Sequence, residues 1–349
     1  VRPRRSLAAA VGLVAASALA LSGCASEAPT ADGATPSGNA SGATDEFPVT
    51  IEHALGETTI EEAPGRVATW GWGSTEAAIA AGVYPVAVAE QTWTVGEGNL
   101  LPWVEDAYTE AGVELPTVLT DAEGGETVPY EEFVAAEPDV IVAPYSAVTP
   151  EQYELLSEIA PTVAYPETPW QTPWDEIITA TADALGRSAA GEAKVDEINQ
   201  YLADEAEAHP EFAGKTFAAI VDSPEQGLVY VYKSEDPRAG FLEGLGMESA
   251  PAVDELAPQD GEFFYTLSYE ELDKLESDVV VAYTYTEEEA AALPDKKELQ
   301  ALPAVKDGMV VQQVGTVAVS AVSPPTALSV QYPEGMPKLI EALSETLAE

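Results

Sequence analysis

Cysteine, histidine and positive charge are all scarce in this chain. Among 349 residues there is one cysteine, Cys24, and there are two histidines, His53 and His209. A lone cysteine excludes an intramolecular disulfide. Two histidines cannot supply an imidazole-rich cage for zinc or manganese. Only 14 Lys+Arg stand against 61 Asp+Glu, a formal net charge of −47. Phosphate backbones are bound through basic contacts, and anionic bilayers attract basic patches. Nucleic acid and electrostatic bilayer docking are therefore poor partners. No glycine-rich phosphate loop occurs. Gly186-Arg187-Ser188-Ala189-Ala190 approaches a nucleophile elbow, but it joins two helical patterns instead of a strand to a helix. Neither histidine makes a persuasive partner for a serine nucleophile. The many acids leave paired-carboxylate chemistry open, so an exported α/β hydrolase is the rival from another class.

What is present begins with an export signal over residues 1–23. Arg2, Arg4 and Arg5 form its charged start, and residues 7–21 its apolar run, short of the ~20 residues a membrane span needs. Leu21-Ser22-Gly23-Cys24 resembles a bacterial lipobox. That resemblance implies cleavage before Cys24, diacylglycerol on its thiol with palmitate-type chains, and a lipid anchor on the extracellular face of the cell membrane. Residues 24–46 are rich in Ala, Ser, Gly, Thr and Pro. They bury too little to order themselves and read as a tether.

The rest is organised around a unit that occurs twice. Residues 129–145 read PYEEFVAAEPDVIVAPY, and residues 268–285 read SYEELDKLESDVVVAYTY. Each predicts a short helix, a stop and an apolar strand. The strands Val140-Ile141-Val142 and Val279-Val280-Val281 suit a parallel sheet covered on both faces. Pro138 is the expected stop of the first helix. The copies lie about one domain apart, which points to duplicated lobes. Around them the spacing predicts a hairpin at 47–60, strands at 66–70, 83–88 and 118–119, and helices at 75–81, 150–159 and 174–185. Residues 93–103 read as an irregular acidic stretch. A long helix over 188–209 sits between the copies as a strut. Strands at 216–222, 229–232 and 310–314 and a closing helix at 337–347 follow. The fold class is α/β, with lobes at 47–185 and 211–349 joined by a single long helix within 186–210.

These parts resemble a family, the substrate-binding lipoproteins of bacterial iron-siderophore ABC importers, of the helical-backbone class. The resemblance runs from about Pro48 to the C-terminus. It is carried by Arg66-Val67 into Gly73-Ser74-Thr75-Glu76, by Ala81-Gly82-Val83-Tyr84-Pro85-Val86, by Glu137-Pro138-Asp139-Val140-Ile141 and by Ile159-Ala160-Pro161-Thr162. In the second lobe Arg238-Ala239-Gly240-Phe241-Leu242 leads into Leu245-Gly246, and Leu267-Ser268-Tyr269-Glu270 precedes Asp278. The resemblance implies two Rossmann-like lobes joined by a single long helix, with a ligand cleft between the lobes, in a monomeric binding protein, not an enzyme, with no cofactor beyond iron carried as a ferric siderophore. It implies docking onto an ABC permease dimer through one glutamate per lobe, here Glu131 and Glu270, with Glu132 and Glu271 as adjacent alternatives. Rim charges suit that task because they set orientation and encounter rate.

Ligand sites in α/β folds lie beyond the carboxyl ends of strands. That selects Trp70, Trp72, Trp93, Tyr145, Tyr283 and Tyr285, and Tyr230, Lys233 and Arg238 around one loop that also includes Tyr232. The resemblance implies that Arg238 contacts iron-bound oxygens. Relatives that take catecholate complexes carry further arginines after the repeated strands. Here those places read Tyr145-Ser146 and Tyr283-Thr284-Tyr285. At ~4 Å and an effective dielectric near 20 one unit pair is worth about 4 kcal/mol. With so few cations, a hydroxamate siderophore such as a ferrioxamine is expected before an anionic catecholate. Haem and cobalamin are the alternatives within the binding class.

Overall fold

The computed structural model describes residues 42–91, 99–121, 124–125, 127–258 and 262–348, all within one compact unit. Cys24 and Trp93 lie outside the described residues. The first lobe opens with a hairpin, β1 (Val49–His53) and β2 (Gly56–Ile60). It continues with β3 (Val67–Thr69), α1 (Ser74–Ala80), β4 (Ala87–Ala89), α2 (Pro102–Ala111) and β5 (Thr117–Leu119). Then come α3 (Tyr130–Ala136), β6 (Val140–Val142), α4 (Pro150–Ser157), β7 (Thr162–Val163) and α5 (Trp174–Ala184). The strands form a parallel sheet in the order β5-β4-β3-β6-β7. Successive side chains leave opposite faces. Val67, Val140 and Val142 pack with Leu185 on one side, and Ala68, Trp70 and Ile141 pack with Phe133 and Leu156 on the other.

The helix α6 (Ser188–Ala208) follows. The second lobe holds β8 (Thr216–Ser223), β9 (Leu228–Tyr232), α7 (Pro237–Gly244), β10 (Glu248–Ser249), α8 (Pro251–Leu256) and β11 (Phe264–Ser268). It ends with β12 (Val279–Thr284), α9 (Glu287–Ala292), α10 (Pro303–Lys306), β13 (Val310–Val314), α11 (Thr316–Val322) and α12 (Met336–Leu347). Its sheet runs β11-β9-β8-β12-β13, with β10 beside β8. It is mixed: β12 is parallel to β8 and β13, whereas β9 is antiparallel to β8 and β11.

The duplicated unit does the same structural job twice. The Asp139 carboxylate accepts from the backbone N–H groups of Gly65 (2.7 Å) and Arg66 (3.0 Å), just before β3. Asp278 accepts from the N–H (2.8 Å) and hydroxyl (2.9 Å) of Thr216, at the start of β8. Each aspartate thus pins its own strand to the central neighbour. Two details depart from expectation. The first helix stops at Glu137, which takes a left-handed conformation (φ 48°) ahead of Pro138. The second helix is a 3₁₀ segment, Tyr269–Lys274, with Leu272 and Leu275 both buried at the three-residue spacing such a turn stacks. The stretch read as irregular ends in a helix, α2. Pro102 starts it, and Trp103, Val104 and Tyr108 form its buried side.

The α6 helix has 21 residues, roughly 30 Å at ~1.5 Å per residue. Ile198 and Leu202 bury against Ile178 of α5 and against Phe241 and Leu242 of α7, so one helix grips both lobes. The grip is close. A Cβ added at Gly244 would lie 2.7 Å from the Leu202 side chain. A second bridge comes from the chain after β13. Ala321 of α11 packs with Ile79 and Trp103 of the first lobe, and Tyr332 meets the Trp103 ring edge-on at 5.2 Å. The Trp103 indole donates to the buried Glu76 carboxyl at 3.0 Å. Burial pushes Glu76 above its ordinary value, against the pull of hydrogen bonds from Trp103, its own N–H and Thr326.

The β1–β2 hairpin is clasped to the first lobe by His53. The Leu55 N–H donates to Nδ1 (3.2 Å), which leaves Nε2–H to donate to the Thr58 hydroxyl at 2.9 Å. Thr58 in turn donates to the Thr162 carbonyl of β7 (2.6 Å). This arrangement needs a neutral ring. Burial holds His53 below its ordinary 6.5. The hairpin's contribution is therefore complete above the unfolded value and is lost as pH falls through the lower folded one. Melting curves taken between pH 8 and 5 should show wild type losing stability on acidification faster than His53→Asn. Parallel pH profiles for the two proteins would contradict this role.

Candidate functional site

A pocket of about 230 Å³ opens in the second lobe. Its walls are Tyr230 and Tyr232 from β9, Phe263 and Phe264 at the start of β11, and Tyr285 after β12. Arg238, Ser320 and Ser323 supply its polar groups. Tyr232 faces the hollow because alternation on β9 sends Val229 and Val231 to the opposite, fully buried side. Tyr230 meets Phe264 edge-on at 5.3 Å, and the ring of Tyr232 runs parallel to Phe263 at 6.4 Å. Such a mostly apolar wall with a few fixed polar groups is the usual make-up of a small-molecule site.

Arg238 is the one charged side chain among the described residues lining this pocket. It is held from three sides. Nη1 donates to both oxygens of Asp236 (2.9 and 2.7 Å). Nε donates to the Ser323 hydroxyl at 2.8 Å, and Nη2 to the Ser323 carbonyl at 3.0 Å. Its Cζ lies 4.1 Å from the centre of the Tyr232 ring, within cation–π range. Burial lowers the Arg238 pKa, but the Asp236 carboxylate with Tyr232 and Tyr145 together more than offset that, and the group stays above its ordinary value. The first lobe reaches the same pair through Tyr145. Burial pushes this phenol up, with the Asp236 carboxylate adding to the shift and Arg238 opposing it. Its position depends on Gly71 (φ 80°), where an added Cβ would lie 2.2 Å from the Tyr145 carbonyl oxygen.

The residues selected from sequence divide accordingly. Tyr230, Tyr285 and Arg238 line the pocket. Tyr145 stands over the Arg238–Asp236 pair and meets Trp170 edge-on at 5.2 Å. Tyr283 is a layer deeper, buried and edge-on to Tyr232 at 5.8 Å. Three others lie away from this pocket. Trp70 is fully buried in the first-lobe core against Phe133, because it continues the Ala68 face of its strand. Trp72 leaves the pocket and donates to the Pro324 carbonyl (3.2 Å), which ties the first lobe to the returning chain. Lys233 is buried with its Nζ on the Pro258 carbonyl (2.9 Å), and it does not line the pocket. Phe263, Phe264, Ser320 and Ser323 were missed. The adjacent phenylalanines at the start of β11 are a visible cue, but nothing local marks the serines, which arrive from 82–85 residues beyond Arg238.

The adjacent glutamates of the duplicated unit differ within each pair. Glu132 accepts from the N–H (2.7 Å) and hydroxyl (2.8 Å) of Thr120. Glu271 accepts from Lys274 (2.8 Å) and Ser268 (3.1 Å). Glu131 and Glu270 are exposed and take part in no such contact among the described residues.

No curated relative matches the sequence. Solved structures do. PiaA, an iron-uptake ABC transporter substrate-binding protein from Streptococcus pneumoniae TIGR4, in its complex with ferrichrome, is 29% identical over 86% of this chain and 99% of its own, at a TM-score of 0.76. A periplasmic solute-binding protein from Mycobacterium smegmatis is 26% identical over 86% of this chain and 98% of its own, at a TM-score of 0.72. SirA from Staphylococcus aureus, complexed with staphyloferrin B, shares the fold at 20% identity over 85% of this chain and 96% of its own, at a TM-score of 0.64. The family model for periplasmic binding proteins matches residues 67–313, well over half of the chain. The chain belongs to the periplasmic binding protein family.

Proposed function

We propose that this protein captures a ferric siderophore of hydroxamate type outside the cytoplasm and delivers it to an ABC importer. The observation that carries this reading is the pocket: five aromatic walls around one arginine whose charge is already paired. A neutral iron chelate suits such a site, because its apolar outside meets rings and its iron-bound oxygens meet a few fixed donors. The ferrichrome complex of the 29% identical PiaA supports the same ligand class. Haemin and cobalamin are the competing ligands. Fluorescence titration with ferrichrome, ferric ferrioxamine, ferric enterobactin, ferric citrate, haemin and cobalamin tests the reading. Trp170, beside Tyr145, is a better reporter than the core Trp70. Tightest binding is expected for a ferric hydroxamate, and tightest binding of haemin or cobalamin would refute the proposal.

Delivery is assigned to two exposed glutamates of the duplicated unit. Glu131 and Glu270 carry the docking charges, and their engaged neighbours Glu132 and Glu271 shape the turns that present them. The resemblance of Leu21-Ser22-Gly23-Cys24 to a lipobox supports a lipid anchor at Cys24 on the outer face of the cell membrane, with the protein acting as a monomer. Among the described residues no helix is long and apolar enough to cross a membrane. A Cys24→Ala variant should be recovered largely from the medium. Unchanged membrane association would remove Cys24 from this role.

A further inference from the structure

We infer that Asp236 sets which charge class of ferric chelate the pocket accepts, an inference that rests on the ferric-siderophore reading of the site. Asp236 stands at the N-cap of α7, where its Oδ1 accepts from the Arg238 N–H at 2.9 Å. A cap needs only one oxygen, and Ser, Thr or Asn would supply it as well. Here the carboxylate does more. Both its oxygens also take the Arg238 guanidinium, within a residue only 1% exposed. Burial pushes the Asp236 carboxyl upward. Its contacts of 2.7–2.9 Å to Arg238 all come from N–H donors. An ionised carboxylate, which only accepts, is the form that fits them.

The consequence is a pocket without net charge. Arg238 is its one charged lining residue among those described, and Asp236 cancels that charge from behind. The surrounding phenols do not replace it with a negative one. Burial pushes Tyr145 and Tyr283 upward and Tyr285 to about 12, so all three stay neutral near pH 7. Rings on the remaining walls add no counter-ion. A neutral ferric trihydroxamate loses little on entering such a site. An anionic tris-catecholate gives up hydration and meets an arginine whose charge is already balanced.

Binding of ferrichrome (neutral) and ferric enterobactin (anionic) to wild type, Asp236→Asn, Arg238→Gln and the double variant tests this. The quantity read is the ratio of the two affinities. Asparagine keeps the cap and removes the charge. Asp236→Asn should move the ratio toward the anionic chelate by about tenfold or more. Arg238→Gln should move it the other way, and the double variant should return to the wild-type ratio. Should Asp236→Asn not fold, the neutral double variant decides: a ratio away from wild type overturns the inference. An unchanged ratio in a folded Asp236→Asn protein also overturns it, even while ferrichrome still binds wild type. If wild type binds neither chelate, the siderophore reading itself has failed.

Discussion

Replacing Arg238 with alanine should cost the protein both its ligand and about 3–5 kcal/mol of stability. The two losses share one origin. Arg238 is 8% exposed, and its partner carboxylate is buried behind it. Removing the guanidinium leaves that carboxylate without a counter-ion and deprives both the Ser323 carbonyl and hydroxyl of their donor. A buried charge stripped of its partner is among the more destabilising single changes. Removing both members should be milder, so Arg238→Ala/Asp236→Ala is expected to recover much of the lost stability. The ligand loses a charge-assisted donor worth about 1.5–3 kcal/mol, roughly ten- to a hundredfold in affinity. Chemical denaturation and ferrichrome titration of the two variants check both halves. A single variant as stable as wild type would show that the Asp236 pair is not needed for the fold.

The second large effect is expected in transport. Reversing the charge of both Glu131 and Glu270 to arginine should abolish uptake of ferric siderophore by cells and leave ligand affinity unchanged. Neither residue lies at the pocket, and both are exposed at the start of the short helical turns of the duplicated unit. Like charges brought together at a docking rim cost several kcal/mol and slow encounter. Glu132→Gln and Glu271→Gln serve as controls, because those side chains bond within their own lobe. They should transport nearly normally. Normal uptake by the double charge-reversal variant would take docking away from this pair.

Most of the scaffold was legible in the sequence because its signals are local. The apolar triplet Val140-Ile141-Val142 and the run of helical spacing from Ser188 to Ala208 each announce their own structure. The direction of a side chain is not local. Trp70 sits one residue beyond β3, and only the pairing of that strand decides that it shares a face with Ala68 and not with Val67. The same alternation, seen in β12, buries Val281 and Tyr283 on one side and Val280 and Ala282 on the other. The sequence singles out Arg238, which lines the pocket, but not the state in which the fold holds it. Nothing local singles out Asp236 over the neighbouring Glu235, whereas the fold buries the Asp236 pair and closes it with Ser323. Ser323 and Tyr332 belong to a stretch that returns across both lobes after β13, a path that no spacing in the sequence encodes.

The central claim is that the Arg238 pocket holds a ferric hydroxamate. Incubating the purified protein with a mixture of ferrichrome and haemin, removing free ligand by gel filtration and recording the visible spectrum tests it most directly. The account predicts that the ferric hydroxamate charge-transfer band elutes with the protein, and that Arg238→Ala protein loses it. A Soret band in place of that band, or a hydroxamate band that survives in Arg238→Ala at full intensity, would contradict it.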